Sequence, residues 1–329
     1  MRKILSILVA AIMTAGCFTA CSKGETKPDT EDNNISIVTT IFPEYDWVMN
    51  VLGDNPAGAG VTMLLDNGVD LHSYQPTADD IMKIATCDLF IYVGGESDEW
   101  VEDALAEAVN PDMVVINLLD ELGSAVYEEE VIEGMEAEEE EEEGEEEAEY
   151  DEHVWLSLRN AEVLTARIAE ILEQIDPDNA SVYESNAEAY ISSLNNLDSR
   201  YLETVNTSSL NTLLFADRFP FRYLTEDYGL DYYAAFVGCS AETEASFETI
   251  TFLANKADEL GLTSVMTIEG ADHSIAETVI ENTSSGTLSI LTMDSMQSTT
   301  SADVANGVSY LSIMEDNLTV LNTALNPEA

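Results

Sequence analysis

The hydrophobic positions along most of the chain alternate between two spacings. Short apolar, β-branched runs indicate buried strands, and the segments between them repeat apolar residues every three or four positions, as amphipathic helices do. Strands that alternate with helices predict a parallel sheet covered on both faces, and hence an α/β lobe. In the first part of the chain the predicted strands are 35–40, 61–65, 89–93 and 113–117, and the predicted helices are 45–52, 77–85 and 100–109.

The middle of the chain has an almost wholly helical pattern, from residue 158 to 205. Pro177 divides it, because a proline restricts the residue before it to extended geometry and favours the start of a new helix. At 1.5 Å per residue, a second helix over 180–205 would be about 39 Å long. A helix of that length can bridge two lobes and hold them more stiffly than a loop.

A second alternation of strands and helices follows the helical segment. The fold class is therefore predicted as α/β, with two parallel-sheet α/β lobes joined by a long rigid linker helix. The predicted parts are an N-terminal lobe over 35–157, a helical segment with the linker helix over 158–206 and a C-terminal lobe over 207–329. In the last part the predicted strands are 212–215, 231–237, 264–268 and 288–291, and the predicted helices are 221–228, 247–260, 275–280 and 304–325.

An acidic low-complexity segment interrupts the N-terminal lobe at 128–152, and residues 138–143 are an unbroken run of glutamate. Like charges at this density repel one another and oppose compact folding, so a disordered surface loop is expected. Two roles fit it: a weak store that raises the local concentration of divalent ions, or a solvated spacer.

The first residues resemble a bacterial lipoprotein signal. Arg2 and Lys3 precede an apolar stretch that is too short to span a bilayer comfortably. We predict a signal peptide over 1–20, lipidation at Cys21 and a polar, flexible tether over 21–34. Cys17 is the alternative lipidated residue, and ordinary secretion without a lipid is the alternative to both.

The overall charge excludes one class of partner. With 11 basic and 65 acidic residues, the formal net charge is −54. Binding to nucleic acid needs a basic surface that neutralises phosphates, so no nucleic-acid partner is expected. A hydrophobic content of 45% is enough for real cores in a chain of 329 residues.

Two of the three histidines follow predicted strands or loops beside acidic residues. His72 comes soon after the second strand, and ligands of open α/β sheets bind beyond the carboxyl ends of strands. His153 ends the acidic segment. Imidazole is the commonest metal ligand, so the pair is a candidate metal site, although an isolated histidine is more often structural.

Several motifs, in order, resemble the zinc- and manganese-type solute-binding lipoproteins of metal ABC transporters, over nearly the whole mature chain. They are VTTIFP at 38–43, DLHSYQPT at 70–77, CDLFIYVGG at 87–95, DEHVWLS at 151–157, and YGL at 228–230 followed by EAS at 244–246. The resemblance implies two α/β lobes, a rigid helix between them and a metal ion bound between the lobes.

The resemblance also implies metal ligands. His72 and His153 match the two histidines of the first lobe, and Asp294 matches a carboxylate of the second. The usual histidine or glutamate after the strand-ending aromatic residue is replaced by Ala216, so Asp217 is the nearest substitute. Other groups that can complete the shell are water, Cys239, Glu269 or another carboxylate, and the alternative role for Cys239 is packing in the core. His273 matches no ligand of the family and is expected at an exposed helix start.

The implied function is an extracytoplasmic binding protein, anchored by lipid to the bacterial membrane, that captures a divalent transition metal and delivers it to an ABC transporter permease. Zinc is the expected cargo, because the acidic insert stands where zinc-type members have a histidine-rich loop. Manganese or iron is the alternative, since both tolerate oxygen-rich shells. A non-enzymatic role is expected; the alternatives from other classes are a metallohydrolase and a surface adhesin on the same fold.

Overall fold

The computed structural model describes residues 34–136, 149–240 and 244–327. The predicted signal peptide (1–20), Cys21 and the tether (21–34) lie outside these ranges, apart from Asn34. Within the described ranges the strands form two parallel four-stranded sheets flanked by helices, which confirms the predicted fold class. The strands are β1 Ser36–Thr39, β2 Gly60–Met63, β3 Leu89–Tyr92, β4 Val114–Asn117, β5 Thr212–Phe219, β6 Asp231–Val237, β7 Ser264–Ile268 and β8 Ser289–Met293. The helices are α1 Phe42–Leu52, α2 Ala78–Thr86, α3 Trp100–Ala106, α4 Leu118–Leu122, α5 Leu158–Ile175, α6 Ala180–Asn206, α7 Arg222–Tyr228, α8 Phe247–Leu260, α9 Ser274–Asn282, α10 Ser301–Ala305 and α11 Tyr310–Leu325.

The sheet of the first lobe has the order β2-β1-β3-β4. Val38 of the central strand β1 pairs with Thr62 of β2 on one side and with Phe90 of β3 on the other. Val38 and Phe90 are buried, as expected for a sheet that is covered on both faces. The carboxyl ends of β2 and β3 therefore meet at one edge, and this edge carries the candidate site.

Helix α2 begins where the sequence predicts it. The Thr77 hydroxyl accepts a hydrogen bond from the backbone N–H of Asp80, and the Asp80 carboxylate accepts one from the backbone N–H of Thr77. This reciprocal pair satisfies two backbone donors that the first turn of a helix leaves free.

Helix α6 is the long linker, and it contacts both lobes. Toward the first lobe, the Tyr190 hydroxyl donates to Asp46 of α1 at 3.1 Å. Toward the second lobe, the Tyr201 hydroxyl donates to the backbone oxygen of Met314 in α11 at 2.6 Å. Both tyrosines are buried. These bonds fix the helix to each lobe and restrict their relative motion.

The sheet of the second lobe has the order β6-β5-β7-β8. Strand β5 extends to Phe219, four residues beyond the predicted end at 215, and its register with β6 shifts between Phe215 and Arg218. A bulge of this kind re-aims the side chains around it. Asp217 and Arg218 lie in this irregular part of the strand.

The end of the chain differs from the prediction of one helix over 304–325. Two helices, α10 and α11, stand in its place, and Gly307 between them has a φ of 98°. That conformation favours glycine and interrupts a helix. Ser309 then caps the new helix by exchanging bonds with Ser312.

The described ends of the acidic segment are ordered, which differs from the disorder expected for all of 128–152. Glu128 pairs with Tyr150 in an antiparallel bridge, and Glu136 pairs with Phe236 of the edge strand β6. Backbone hydrogen bonds outweigh charge repulsion at these two ends, because the flanking chain is held by the lobes. The core of the acidic run, 137–148, lies outside the described residues.

No helix in the described part of the chain is both long enough and apolar enough to cross a membrane. The boundaries predicted for the three parts of the chain stay predictions, since residues from Asn34 onward form one compact unit.

Candidate metal centre

His72 lies in a short 3₁₀ turn, Leu71–Ser73, just beyond the carboxyl end of β2. Asp70 caps this turn: its carboxylate accepts the backbone N–H of His72 at 3.1 Å. The ring Nδ1 of His72 is 2.7 Å from the Ser97 hydroxyl. Hydrogen bonds thus fix the backbone of His72 and its Nδ1 atom, and the other ring nitrogen, Nε2, points into the cleft.

His153 begins the 3₁₀ turn Val154–Leu156 and is fully buried. Its backbone N–H and its ring Nδ1 lie 2.9 and 3.0 Å from the same oxygen of Asp151. A carboxylate beside Nδ1 favours the tautomer with the proton on that nitrogen, which leaves the lone pair of Nε2 free. This is the arrangement found in metal-ligating histidines.

The two free nitrogens face each other. The distance between Nε2 of His72 and Nε2 of His153 is 3.2 Å. Two nitrogens at about 2.0–2.1 Å from one tetrahedral zinc ion would stand about 3.3 Å apart. The imidazoles are therefore already spaced for a shared metal ion.

A third donor comes from the second lobe. Within the described ranges, His72, His153 and Cys239 are the one group of three metal-ligating side chains whose ligand atoms all lie within 4.8 Å of one another. Cys239 follows the end of β6, and its backbone N–H donates to Glu129 at 3.2 Å. Burial raises the pKa of the thiol, and the carboxylates of Glu129, Asp151 and Glu152 raise it further.

Gly238 permits the close approach of this loop to His153. A Cβ at position 238 would lie 2.9 Å from Cε1 of His153 and 3.0 Å from the backbone oxygen of Phe219. Both contacts are tighter than ordinary van der Waals distance, and one of them is with backbone. Any larger residue would push Cys239 away from the two histidines.

Asp217 does not join this group. Its two carboxylate oxygens accept the backbone N–H groups of Arg218 at 2.9 Å and Ile268 at 3.1 Å, so they serve the second-lobe sheet. Burial raises the pKa of Asp217. Its neighbour Ala216, which occupies the position of the usual family ligand, is also buried and offers no donor side chain.

Asp294 also lies outside the group of three. It follows β8, as its predicted place at a strand end requires, and one of its oxygens accepts the backbone N–H of Met296 at 2.7 Å. Burial raises its pKa, as do the charges of Asp303 and Asp316. The adjacent Glu269 has a pKa raised to about 7 by burial and by the charge of Asp294, and both its oxygens accept bonds from the segment 295–297.

Gln297 and Arg218 stand at the site without having been predicted there. The Gln297 amide lies between Asp70 and His153 and is assigned the orientation in which its nitrogen donates to a carboxylate oxygen of Asp70 at 2.7 Å. Its oxygen then lies 3.2 Å from Nε2 of His153, so a proton or a metal ion on that nitrogen is needed to offset the two facing lone pairs. Arg218 donates to Asp70 at 2.8 Å. Burial alone would raise the pKa of Asp70, but the charges of His72 and Arg218 hold it below its ordinary value.

Two more carboxylates are buried behind the histidines. Glu152 accepts the backbone N–H of Ser97 at 2.9 Å, and its other oxygen is 3.5 Å from Nδ1 of His72. Burial opposes ionisation of Glu152, but its bonds to His72 and Ser97 lower its pKa. Asp98 has one buried oxygen without a partner in the described structure, and burial raises its pKa to about 7. Glu152 therefore places negative charge behind the imidazoles, which favours a cation, whereas Asp98 is partly protonated near neutral pH.

His273 matches its prediction in part. It is the N-cap of α9, at the expected helix start, but it is partly buried rather than fully exposed and has a φ of 64°. It lines a cavity between the two lobes rather than joining His72 and His153. The metal-ligand roles of His72, His153, Asp217 and Asp294 remain predictions, and geometry favours the first two.

Comparisons with known proteins agree with this architecture. The sequence profile of the family described as zinc-uptake complex component A, periplasmic (ZnuA), matches residues 37–324. The chain is 28% identical to the high-affinity zinc uptake system protein ZnuA of Bacillus subtilis, over 97% of this chain and 96% of that protein. It is 30% identical to the zinc-binding lipoprotein AdcA of Streptococcus pneumoniae R6, over 100% of this chain and 62% of that protein.

The chain thus spans less than two thirds of the length of AdcA. Among solved structures, the Zn(II)-bound ZnuA-like domain of pneumococcal AdcA superposes with a TM-score of 0.69 at 27% identity, covering 89% of this chain and 99% of that domain. The match therefore concerns the part of AdcA that this domain represents.

Proposed function

The chain belongs to the family of periplasmic zinc-uptake complex components, and from that premise we propose that it captures Zn²⁺ outside the cytoplasm and delivers it to an ABC importer. The relatives named above are zinc-uptake and zinc-binding proteins, which supports this cargo. One observation in this chain carries the proposal: the Nε2 atoms of His72 and His153 face each other at 3.2 Å.

The proposed ligands are His72, His153 and Cys239. Zinc binds nitrogen and thiolate readily and prefers four ligands, so three protein donors leave one position. The amide oxygen of Gln297 lies 3.2 Å from Nε2 of His153, and it or a water molecule can fill that position. Asp217 can enter the shell only if it gives up its two backbone hydrogen bonds. Asp294 has one oxygen bonded to the backbone N–H of Met296, and it enters only if the second lobe brings it within reach of the histidines.

A thiolate in the shell also bears on the choice of metal. Manganese favours carboxylate, carbonyl and water ligands, whereas imidazole and thiolate suit zinc. The nitrogen and sulfur donors that the lobes bring together therefore favour zinc over manganese. An oxygen-rich shell with two carboxylates would not favour zinc in this way.

Elemental analysis of the purified protein, followed by competitive titration of the metal-free chain with zinc and manganese, tests this proposal. We expect one tight zinc site per chain and much weaker binding of manganese. Thermal stability should rise on addition of zinc, since a ligand that binds only the folded state shifts unfolding by mass action. Stoichiometric manganese with no preference for zinc would overturn the assigned cargo.

Delivery to a permease and attachment to the membrane complete the proposal. Uptake of radioactive zinc by cells that lack this protein should be restored by the wild-type chain and not by a chain without His72 and His153. Mass spectrometry of the N-terminal peptide from the membrane fraction should find lipid on Cys21. Lipid on Cys17 would contradict the choice of Cys21, and an unmodified N-terminus in the soluble fraction would contradict the anchor itself.

We further propose that the chain has no catalytic role, since its family consists of the solute-binding component of a transporter. The metallohydrolase alternative requires a metal-bound water with a general base beside it. Hydrolysis of a generic ester or phosphate by the zinc-loaded protein would support that alternative. The adhesin alternative stays a prediction, and it would be favoured by tight binding to a host macromolecule without metal affinity.

A further inference from the structure

A cavity of about 560 Å³ opens between the two lobes, next to the histidine pair. It is lined by the carboxylates of Asp70, Asp217 and Asp272, against the cation of Arg218 and the ring of His273. Glu269 also lines it and is only partly ionised near neutral pH, because its pKa is raised to about 7. A cleft with this excess of negative charge raises the local concentration of cations. The cavity is thus a suitable vestibule for a divalent ion on its way to the imidazoles.

The cavity does not reach the imidazoles. Among the described residues that line it, neither His72 nor His153 appears, and His153 is fully buried. Three lining residues also contact the histidine pair or one another: Asp70, Arg218 and Gln297. They form the wall between the cavity and the proposed zinc ligands.

The wall is continuous through polar contacts. Arg218 Nη2 donates to Oδ2 of Asp70 at 2.8 Å, and Oδ1 of Asp70 is 3.9 Å from Nε2 of His72. The Gln297 amide nitrogen is 2.7 and 3.0 Å from the two Asp70 oxygens, and its oxygen faces His153. Each of the three side chains therefore holds another one in place, and Asp70 is at the centre.

The wall is also suited to open. Asp70 comes from the first lobe, and Arg218 and Gln297 come from the second, so the contacts cross the cleft. The side chains of Arg218 and Asp70 are 21% and 23% exposed, and an ion pair in contact with water adds little to stability. Exposed side chains change rotamer within nanoseconds, far faster than lobes move.

Other hydrogen bonds between the two lobes do not involve the Arg218–Asp70 ion pair. The Ser301 hydroxyl in α10 donates to Asp66 of the first lobe at 2.6 Å. The indole N–H of Trp155 donates to the backbone oxygen of Ser295 at 2.9 Å. The Arg218–Asp70 contact can therefore break while the lobes stay together.

We propose that Arg218, Asp70 and Gln297 form a gate through which zinc passes between the acidic vestibule and the His72–His153 pair. Arg218 is a positioning residue in this gate: it acts on Asp70 and does not bind the metal. The proposal rests on the proposed zinc capture. It predicts that the gate sets the rates of metal exchange in both directions and leaves the affinity nearly unchanged.

The test is a stopped-flow measurement of zinc association and of zinc release to a chromophoric chelator, on the full chain. The variant is Arg218→Met, which removes the charge and keeps most of the side-chain volume. We expect both rate constants to rise by the same factor, about two- to fivefold, as the loss of a partly exposed ion pair from the closed gate implies, and the dissociation constant to change less than about twofold. Arg200→Met is the matched control, since Arg200 pairs with Glu315 at 2.7 Å on an exposed surface and lines no part of the cavity.

Ionic strength gives a second readout that a purely structural role would not change. Salt weakens a partly exposed ion pair, so release from the wild-type protein should accelerate with salt and release from Arg218→Met should not. If Arg218→Met fails to fold, Arg218→Lys replaces it. Lysine keeps the charge but loses the forked geometry, and it should raise both rates by a smaller factor.

The outcomes separate the gate from the function on which it rests. If wild-type protein binds no zinc at equilibrium, zinc capture and the gate fall together. If wild-type protein binds zinc and Arg218→Met leaves both rates unchanged, the gate alone is overturned. A change in the release rate alone would show that Arg218 stabilises the bound state instead, and this too would overturn the gate.

Discussion

The two lobes prepare their halves of the site in different ways. In the first lobe, His72 and His153 are each held through Nδ1, by Ser97 and by Asp151, so their Nε2 atoms are fixed toward the cleft. In the second lobe, Asp217 lies near the end of β5 and Asp294 follows β8, where ligands are expected. Yet both oxygens of Asp217 and one oxygen of Asp294 accept backbone N–H groups. A place at a strand end brings a residue to the site, but its local hydrogen bonds decide where its donor atom points.

The largest expected effect on zinc affinity comes from the two histidines of the first lobe. Replacing His153 by alanine should weaken zinc binding by well over a hundredfold, because even partners that only orient a ligand are worth about 10–100-fold. His72→Ala should act similarly. Titration of metal-free protein against a chelator of known affinity measures both. His273→Ala is the matched control and should bind zinc like the wild type; full affinity in either ligand variant would refute the paired-imidazole site.

The next largest effect on zinc affinity is expected at Cys239, and it is compared with the effects of removing the charges of Asp217 and Asp294 in the second lobe. Cys239→Ser should reduce zinc affinity about 10- to 100-fold and narrow the preference for zinc over manganese, because a hydroxyl is a poor substitute for a thiolate. Asp217→Asn and Asp294→Asn should change zinc affinity by less than about threefold, because neither side chain joins the histidines and Cys239. A large loss in Asp294→Asn with none in Cys239→Ser would reverse this comparison and restore the family pattern.

A smaller effect is expected from the residue that holds His72. Ser97→Ala removes the hydroxyl that lies 2.7 Å from Nδ1 of His72. The ring then loses its fixed orientation, and zinc affinity should fall about tenfold, at the lower end for partners that orient a ligand. Isothermal titration measures it, with Ser199→Ala, on the exposed face of α6, as the control.

The smallest effect concerns stability rather than binding, and it tests the buried carboxylates behind the histidines. Burial raises the pKa of Asp98 to about 7 from 3.8, so the folded state holds its proton more tightly than the unfolded state. Between these two values the free energy of unfolding should fall as pH rises, and it should not change below about pH 3.8 from this cause.

Asp98→Asn removes this pH dependence while keeping an acceptor for the backbone N–H of Gly94. At about 1.4 kcal/mol per pKa unit, the variant should gain about 2–4 kcal/mol over the wild type between pH 4 and pH 8. Urea unfolding of metal-free protein at the two pH values measures the difference. An equal difference between variant and wild type at both pH values would contradict the raised pKa.

Much of the fold followed from sequence because its determinants are local. The strands of both lobes are apolar runs with definite ends, and Thr77 and Pro177 mark helix starts through their own chemistry. The elements that differ from the prediction depend on backbone conformation, which the pattern of apolar residues does not show. The terminal helix divides at Gly307, whose positive φ could not be read from an otherwise helical pattern.

The site was predictable only in part. His72 and His153 were singled out because each follows a structural element beside acidic residues, and the structure brings their rings together, while their roles as ligands remain predictions. Cys239 was considered as a ligand, but the sequence around it does not show that Gly238 allows Cys239 to approach His153. Gln297 and Arg218 were missed, because their roles depend on contacts with Asp70 across the cleft, 148 residues from Arg218 in the chain. Sequence alone gives no sign of contacts that form only when two lobes meet.

Trp155 gives the protein a built-in optical reporter. Its indole is buried against the ring of His153, with 5.2 Å between the ring centres, and its N–H is bonded to the opposite lobe. The chain has three tryptophans, and the other two pack against tyrosines, Trp47 against Tyr310 and Trp100 against Tyr74. A cation on the imidazole, or a parting of the lobes, should alter the emission of Trp155 directly, so that capture and release can be followed by intrinsic fluorescence without any attached dye.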